Sequence, residues 1–261
     1  MRAGQGRLRL ATRRLGVHAA AATVLLAAAV PGPSRSATDR LPPITGASDA
    51  PEPGWALATL PKQRFPVTRF SVVDLDGERA LRVEAQASYG NLVHTLATTA
   101  GQPPHRAGTL SWRWRVDRVN AAADLRERSG DDTHLKVCLL FDLALDRVPF
   151  DERLLMRLAR ARTGEPLPAA TVCYVWAPGL PADTALDNPY SRRVRYLVLQ
   201  GTGSPLSTWR DERRDIAADF RRLFGDESPE VPRLMAVAVG ADADNTGQSS
   251  LAHLSRLTLS P

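Results

Sequence analysis

Two acidic stretches hold the side chains best suited to chemistry. The first, GADADNTG at 240–247, follows the apolar run LMAVAV. Laid over a calcium loop, Asp242, Asp244 and Thr246 fall on the first, third and fifth ligand positions, and Gly247 on the sixth, where a sharp turn is needed. The match stops there: the twelfth position is His253 rather than a bidentate glutamate, and the flanks read as strands. Two readings remain. One is a partial oxygen site for calcium, completed by a carboxylate from another loop, Asp132 first and Asp131 second. The other is a hairpin loop in which Asp244, Asn245 and Gly247 supply turn geometry and Asp242 pairs with an arginine. The turn is the favoured reading, because half an oxygen cage holds a hard cation weakly.

The second stretch is SGDD at 129–132, just before a strand-like run. Adjacent aspartates cannot share a strand face, so one of Asp131 and Asp132 turns the loop while the other can point inward. A buried carboxylate then needs a cation or several N–H donors. Both are candidate ligand-binding residues, with an Asx turn as the alternative. Trp112 and Trp114 alternate with Arg113 and Arg115 and read as a core row. Trp176, beside Ala177-Pro178 at a strand end, is the candidate ligand-facing aromatic. His94, His105, His134 and His253 are scattered, and no His-Glu-x-x-His, Gly-x-Ser-x-Gly or phosphate loop is present. Paired aspartates alone could serve glycoside hydrolysis, but the sequence does not say which two.

The elements that must position these residues are mostly short strands. RFSVVDLDGERALRVEAQA is a hairpin with Asp76-Gly77 at its turn. NLVHTLAT, TLSWRWRV, THLKVCLLFD, ATVCYVWAP, VRYLVLQG, RLMAVAVGAD and LAHLSRLTLS follow. About nine or ten strands in one domain over 55–261 point to a mainly β, jelly-roll-type β-sandwich. Two peripheral helices are expected. DERLLMRLARARTG places Leu154, Leu155, Leu158 and Ala159 on one face and ends at Gly164. STWRDERRDIAADFRRLFGD has Trp209, Ile216, Phe220, Leu223 and Phe224 on one stripe, with Thr208 and Asp211 in capping-box positions.

Residues 1–36 read as an export signal: a basic start, the apolar run Val17 to Val30, a Pro-Gly-Pro break, and small residues that place cleavage between Ser36 and Ala37. The run is too short for a stable membrane span. Thr12-Arg13-Arg14 leaves general and twin-arginine export both open. Six of the 34 basic residues lie in this segment with no acid beside them, which leaves 28 basic against 28 acidic in the remainder. That balance excludes the basic footprint of a nucleic-acid binder. Residues 37–54, rich in Pro, Gly, Ser and Asp, read as a flexible leader. Cys138 and Cys173 each occupy the minority face of an apolar strand, either bridged in an oxidising compartment or buried as thiols.

Taken in order, Trp55 with Leu60-Pro61, the hairpin, WRWRV, SGDD before a strand ending in Phe141, YVW, W-x(10)-F-x-x-x-FG and D-x-D-N-T-G form a recognisable series. The chain from about Trp55 onward resembles the bacterial secreted domain-of-unknown-function family numbered 3047. The segment around 143–168 and the two cysteines depart from that pattern. The resemblance implies no established activity and no catalytic residues. The function expected from the sequence is non-catalytic binding of a glycan or another cell-envelope ligand. The rivals are a carbohydrate-active enzyme using paired aspartates and a structural envelope protein.

Overall fold

Asp76 and Gly77 take φ of 53° and 74°, and this turn folds β2 (Arg69–Leu75) onto β3 (Glu78–Gln86) with Leu75 opposite Glu78. The hairpin is part of a β-sandwich seen in a computed structural model that describes residues 41–96, 107–164 and 167–260. The export signal, its cleavage point and His105 lie outside the described residues. The remaining strands are β1 (Ala56–Ala58), β4 (Tyr89–Thr95), β5 (Thr109–Arg118), β6 (Lys136–Phe141), β7 (Ala170–Trp176), β8 (Ala185–Asn188), β9 (Ser191–Gln200), β10 (Arg210–Asp215), β11 (Leu234–Asp242) and β12 (Ser249–Ser260). Helix α1 (Phe150–Thr163) joins β6 to β7, and α2 (Ile216–Phe224) follows β10. One sheet has the order β1-β4-β11-β6-β7-β9-β8 and the other β10-β5-β12-β3-β2. Among the described residues no helix is long and apolar enough to cross a membrane.

Alternation along the central strands sorts their side chains into two layers. Val137, Leu139, Phe141, Val172, Tyr174 and Val239 face the other sheet and join Trp112, Trp114, Val116 and Leu254 in the main core. Cys138, Leu140, Cys173, Val175, Ala236 and Ala238 face outward into a second apolar cluster. Because both faces are covered, β6 and β7 are buried along their whole length. Cys138 and Cys173 stand directly opposite each other across the β6–β7 pair and are bridged.

Four expectations are corrected. Trp176 shares the inward parity of Val172 and Tyr174, so it is fully buried in the core and packs edge-on against Trp114 with ring centroids 5.7 Å apart. The second helix begins later than its apolar stripe suggests. Residues 210–215 pair with β5 as an edge strand whose burial alternates, and Asp215, not Thr208, caps the helix by accepting from Ala218 N at 3.0 Å. Alternation of period two wins where β5 offers unpaired backbone groups. Third, α1 turns Met156 inward and leaves Phe150, Leu154, Leu155 and Leu158 exposed. Its roll is set by polar anchors: Arg153 donates to the Asp146 and Val148 carbonyls, Arg160 to Leu167 O, and Glu152 pairs with Arg193. Last, the described part of the leader is packed rather than loose. Leu41 and Ile44 enter the core, and Arg79 donates to the carbonyls of Gly46, Ala47 and Ser48.

Candidate functional site

The outward face of the seven-stranded sheet carries a cavity of about 240 Å³. Small residues leave the space: Ala238 and the Cys138–Cys173 bridge line its apolar side, with Val194 and Pro168 beside them. Polar groups converge from six strands and three loops, with Thr171 from β7 among them. Tyr89 and Asn91 come from β4, Lys136 from β6, Asn188 from β8, Tyr196 from β9 and Asp242 from β11. The loops add Asp131, Tyr190, Asp244 and Asn245. Gly240 makes room for this arrangement. A Cβ there would lie 2.1 Å from Asn91 Oδ1, so only glycine lets the buried amide lie across β11.

The two adjacent aspartates divide their work as alternation requires. Asp132 points into the loop 242–246 and holds it. It accepts from Asn245 N at 3.1 Å, Asn245 Nδ2 at 3.3 Å, Thr246 N at 2.9 Å, Thr246 Oγ1 at 2.5 Å and Asn120 Nδ2 at 3.2 Å. Asp131 turns to the cavity instead, where Tyr196 OH donates to Oδ1 at 2.9 Å and Asn188 Nδ2 to Oδ2 at 2.6 Å. Burial, and then the Asp242 charge, push the Asp131 carboxyl up to about 7 against the pull of those donors and of Lys136. Asp244 is also pushed up to about 7, by burial and then by the charges of Asp242 and Asp132.

Asp242 is paired with a lysine, not the arginine expected. Lys136 Nζ lies 3.0 Å from its Oδ1, which also accepts from Thr133 N at 2.9 Å and from the Thr133 hydroxyl. Burial works against the Lys136 ammonium, but the Asp242 carboxylate, followed by Tyr89, outweighs it and holds the lysine above its ordinary value. Burial likewise raises the Tyr196 hydroxyl well above its ordinary value, reinforced by Asp131. His134 stands behind the site with its ring nitrogens facing the carbonyls of Trp176 and Asn120, and burial lowers it.

For a calcium ion, the ligand atoms of Asp132, Asp242 and Asp244 do lie within 4.8 Å of one another, so the carboxylate expected to complete the loop is in reach. The Thr246 hydroxyl does not serve as a fifth ligand: it donates to Asp132 and accepts from Asn120 Nδ2. The Lys136 ammonium already supplies Asp242 with its counter-charge. The donor set therefore fits a divalent ion poorly. Of the residues singled out in the sequence, Asp131, Asp242 and Asp244 meet at the cavity, Asp132 and Thr246 shape its loop, and Trp176 lies in the core. Sequence reasoning missed Tyr89, Asn91, Lys136, Asn188, Tyr190 and Tyr196. The one signal in reach was Lys136, a lone charge opening the otherwise apolar strand KVCLLF.

A family model matches residues 53–258. The chain belongs to the family described as Protein of unknown function (DUF3047). The DUF3047 match thus takes in both sheets and every cavity residue named above. No curated protein matches the chain. Among solved structures it is similar to the xyloglucanase domain of NopAA, a type three effector from Sinorhizobium fredii, in complex with cellobiose. That likeness has a TM-score of 0.41 and 8% identity, over 80% of this chain and 95% of the other.

Proposed function

We propose that this DUF3047 protein is an exported binding protein whose cavity takes a small polyhydroxylated ligand, a sugar unit of an envelope glycan. The observation that carries the reading is the dense set of alternating donors and acceptors held by strands and one loop around the cavity: Asp131, Tyr196 and Asn188 on one side, Lys136 and Asp242 on the other. A concave site with convergent polar groups is the usual form of a small-ligand site, and vicinal hydroxyls both donate and accept. The bridged cysteines support an oxidising compartment, as export would provide.

A second reading is favoured by a specific observation. Asp131 and Asp244 both line the cavity, and burial pushes both carboxyls up to about 7, where proton-transfer groups of a glycoside hydrolase would be poised. One experiment separates the readings. The chain is applied to a glycan array and, in parallel, to a reducing-sugar release assay on the same polysaccharides. Retention of a glycan without product, weakened about tenfold or more in Asp131→Asn, is the expected result. Product release abolished by Asp131→Asn or Asp244→Asn establishes the hydrolase instead. Neither retention nor release on any glycan overturns both.

A further inference from the structure

The charges around the cavity do not balance. Its lining holds Asp131, Asp242 and Asp244 against Lys136 and Arg193. Arg193 is engaged elsewhere, ion-paired with Glu227 and Glu152 at 2.6 Å each. Lys136 is engaged with Asp242. Asp131 receives only the neutral donors Tyr196 and Asn188. Asp244 is worse served: its Oδ1 is shielded from solvent and accepts no hydrogen bond. A desolvated carboxylate oxygen without a donor is costly, and the cost falls when a cation enters the site.

A second, independent atom points to the same ligand. Asn91 is 1% exposed and lines the cavity, and its Nδ2 is directed at the Tyr89 hydroxyl without a well-aligned hydrogen bond. A bare metal ion answers the carboxylates but not this donor. A ligand that does both carries a positive hydrogen-bonding group at one point and an oxygen acceptor at another.

We infer that the ligand is an amino sugar with a free, protonated amine, its ammonium pairing with the Asp244 carboxylate in the field of Asp242 and Asp131 and one of its oxygens accepting from the Asn91 amide. The inference rests on the sugar-binding reading and narrows it to hexosamines that are not N-acetylated. An ammonium suits the place because it brings three donors and a full charge in a compact group. An N-acetyl group removes the charge and adds bulk at the same position. The raised Asp131 and Asp244 carboxyls mark the negative potential that the ammonium meets.

The test is calorimetric titration of the purified chain at neutral pH with glucosamine, N-acetylglucosamine, glucose, ethanolamine and calcium chloride. Glucosamine is expected to bind at least about tenfold more tightly than its N-acetyl form or glucose. Asp244→Asn, close to the wild-type side chain in size, is expected to lower glucosamine affinity by at least about tenfold; circular dichroism melting establishes that it folds. Asp131→Asn gives a second variant, with a smaller loss expected. Equal affinity for all three sugars overturns the amine and leaves the sugar reading standing. Ethanolamine binding as tightly as glucosamine keeps the amine and overturns the sugar. Calcium binding that Asp244→Asn abolishes, with no sugar bound, overturns both in favour of a metal site. No binding by any of the five also overturns both.

Discussion

Asp132 and Asp244 sit in one cluster but face opposite energetics, and this can be measured. Asp132 is 1% exposed and satisfies donors from Asn120, Asn245 and Thr246. Removing it leaves several of them buried without an acceptor, each worth about 1–3 kcal/mol. Asp132→Ala is therefore expected to lose about 3–5 kcal/mol in urea unfolding. A loss under about 1 kcal/mol would mean that the loop 242–246 is held by something other than this carboxylate. Neighbouring positions in the sequence thus carry different duties. Asp131 and Asp132 look alike on paper, and alternation alone says only that they part company. Which of them faces the cavity depends on what lies across from each, and that is a matter of the third dimension.

At the scale of elements, the β6–β7 pair is the spine of the site. It carries Lys136 at its cavity end and the Cys138–Cys173 bridge below it. The bridge closes a loop with a sequence separation of 35 that contains all of α1. On the chain-entropy account such a closure is worth about 3–4 kcal/mol. The double variant Cys138→Ala/Cys173→Ala is expected to lower stability by about that amount under non-reducing conditions. The wild type in reductant should move toward it. A double variant as stable as wild type would show that α1 and its polar anchors, not the bridge, set the loop. The longer strands were legible from their period, including the hairpin turn at Asp76-Gly77, whereas the short β1 and β8 are too brief to show one. Residues 208–215 were not, because RDERRD fits an amphipathic helix and an edge strand equally well; the open backbone of β5 settled the choice.

For the molecule as a whole, the buried charge around the cavity makes stability depend on pH. Asp131 and Asp244 are raised from the ordinary 3.8 to about 7. The native state therefore holds protons that the unfolded chain gives up. This contribution is fully present below about pH 4 and is lost as pH rises through about 7. His134 acts in the opposite sense, since burial lowers it: it favours the fold above its ordinary value near 6.5 and loses that contribution as pH falls. The carboxylates are isolated by difference. Wild-type urea midpoints, taken relative to those of Asp131→Asn/Asp244→Asn, are expected to fall between about pH 4 and about pH 7 and then level off. A difference that stays constant across that window would place the two carboxyls at ordinary values.

Much followed from the residues alone. Period-two alternation and turn chemistry are local, so the β-sandwich, the hairpin and the acidic loops could be read directly. The acids worth testing stood out because little else in the chain could do chemistry. Tertiary structure decided the rest, because alternation separates two faces of a strand without saying what covers either one. Trp176 lies inward because the five-stranded sheet packs on its face. Lys136 belongs to the site because β11 is its neighbour and brings Asp242 across to it. Cys138 meets Cys173 because the β6–β7 register sets them opposite one another. Asn91 faces the cavity because Gly240 on the paired strand leaves room for it. Each of these depends on cross-strand register, a relation between distant segments that no local window of sequence contains.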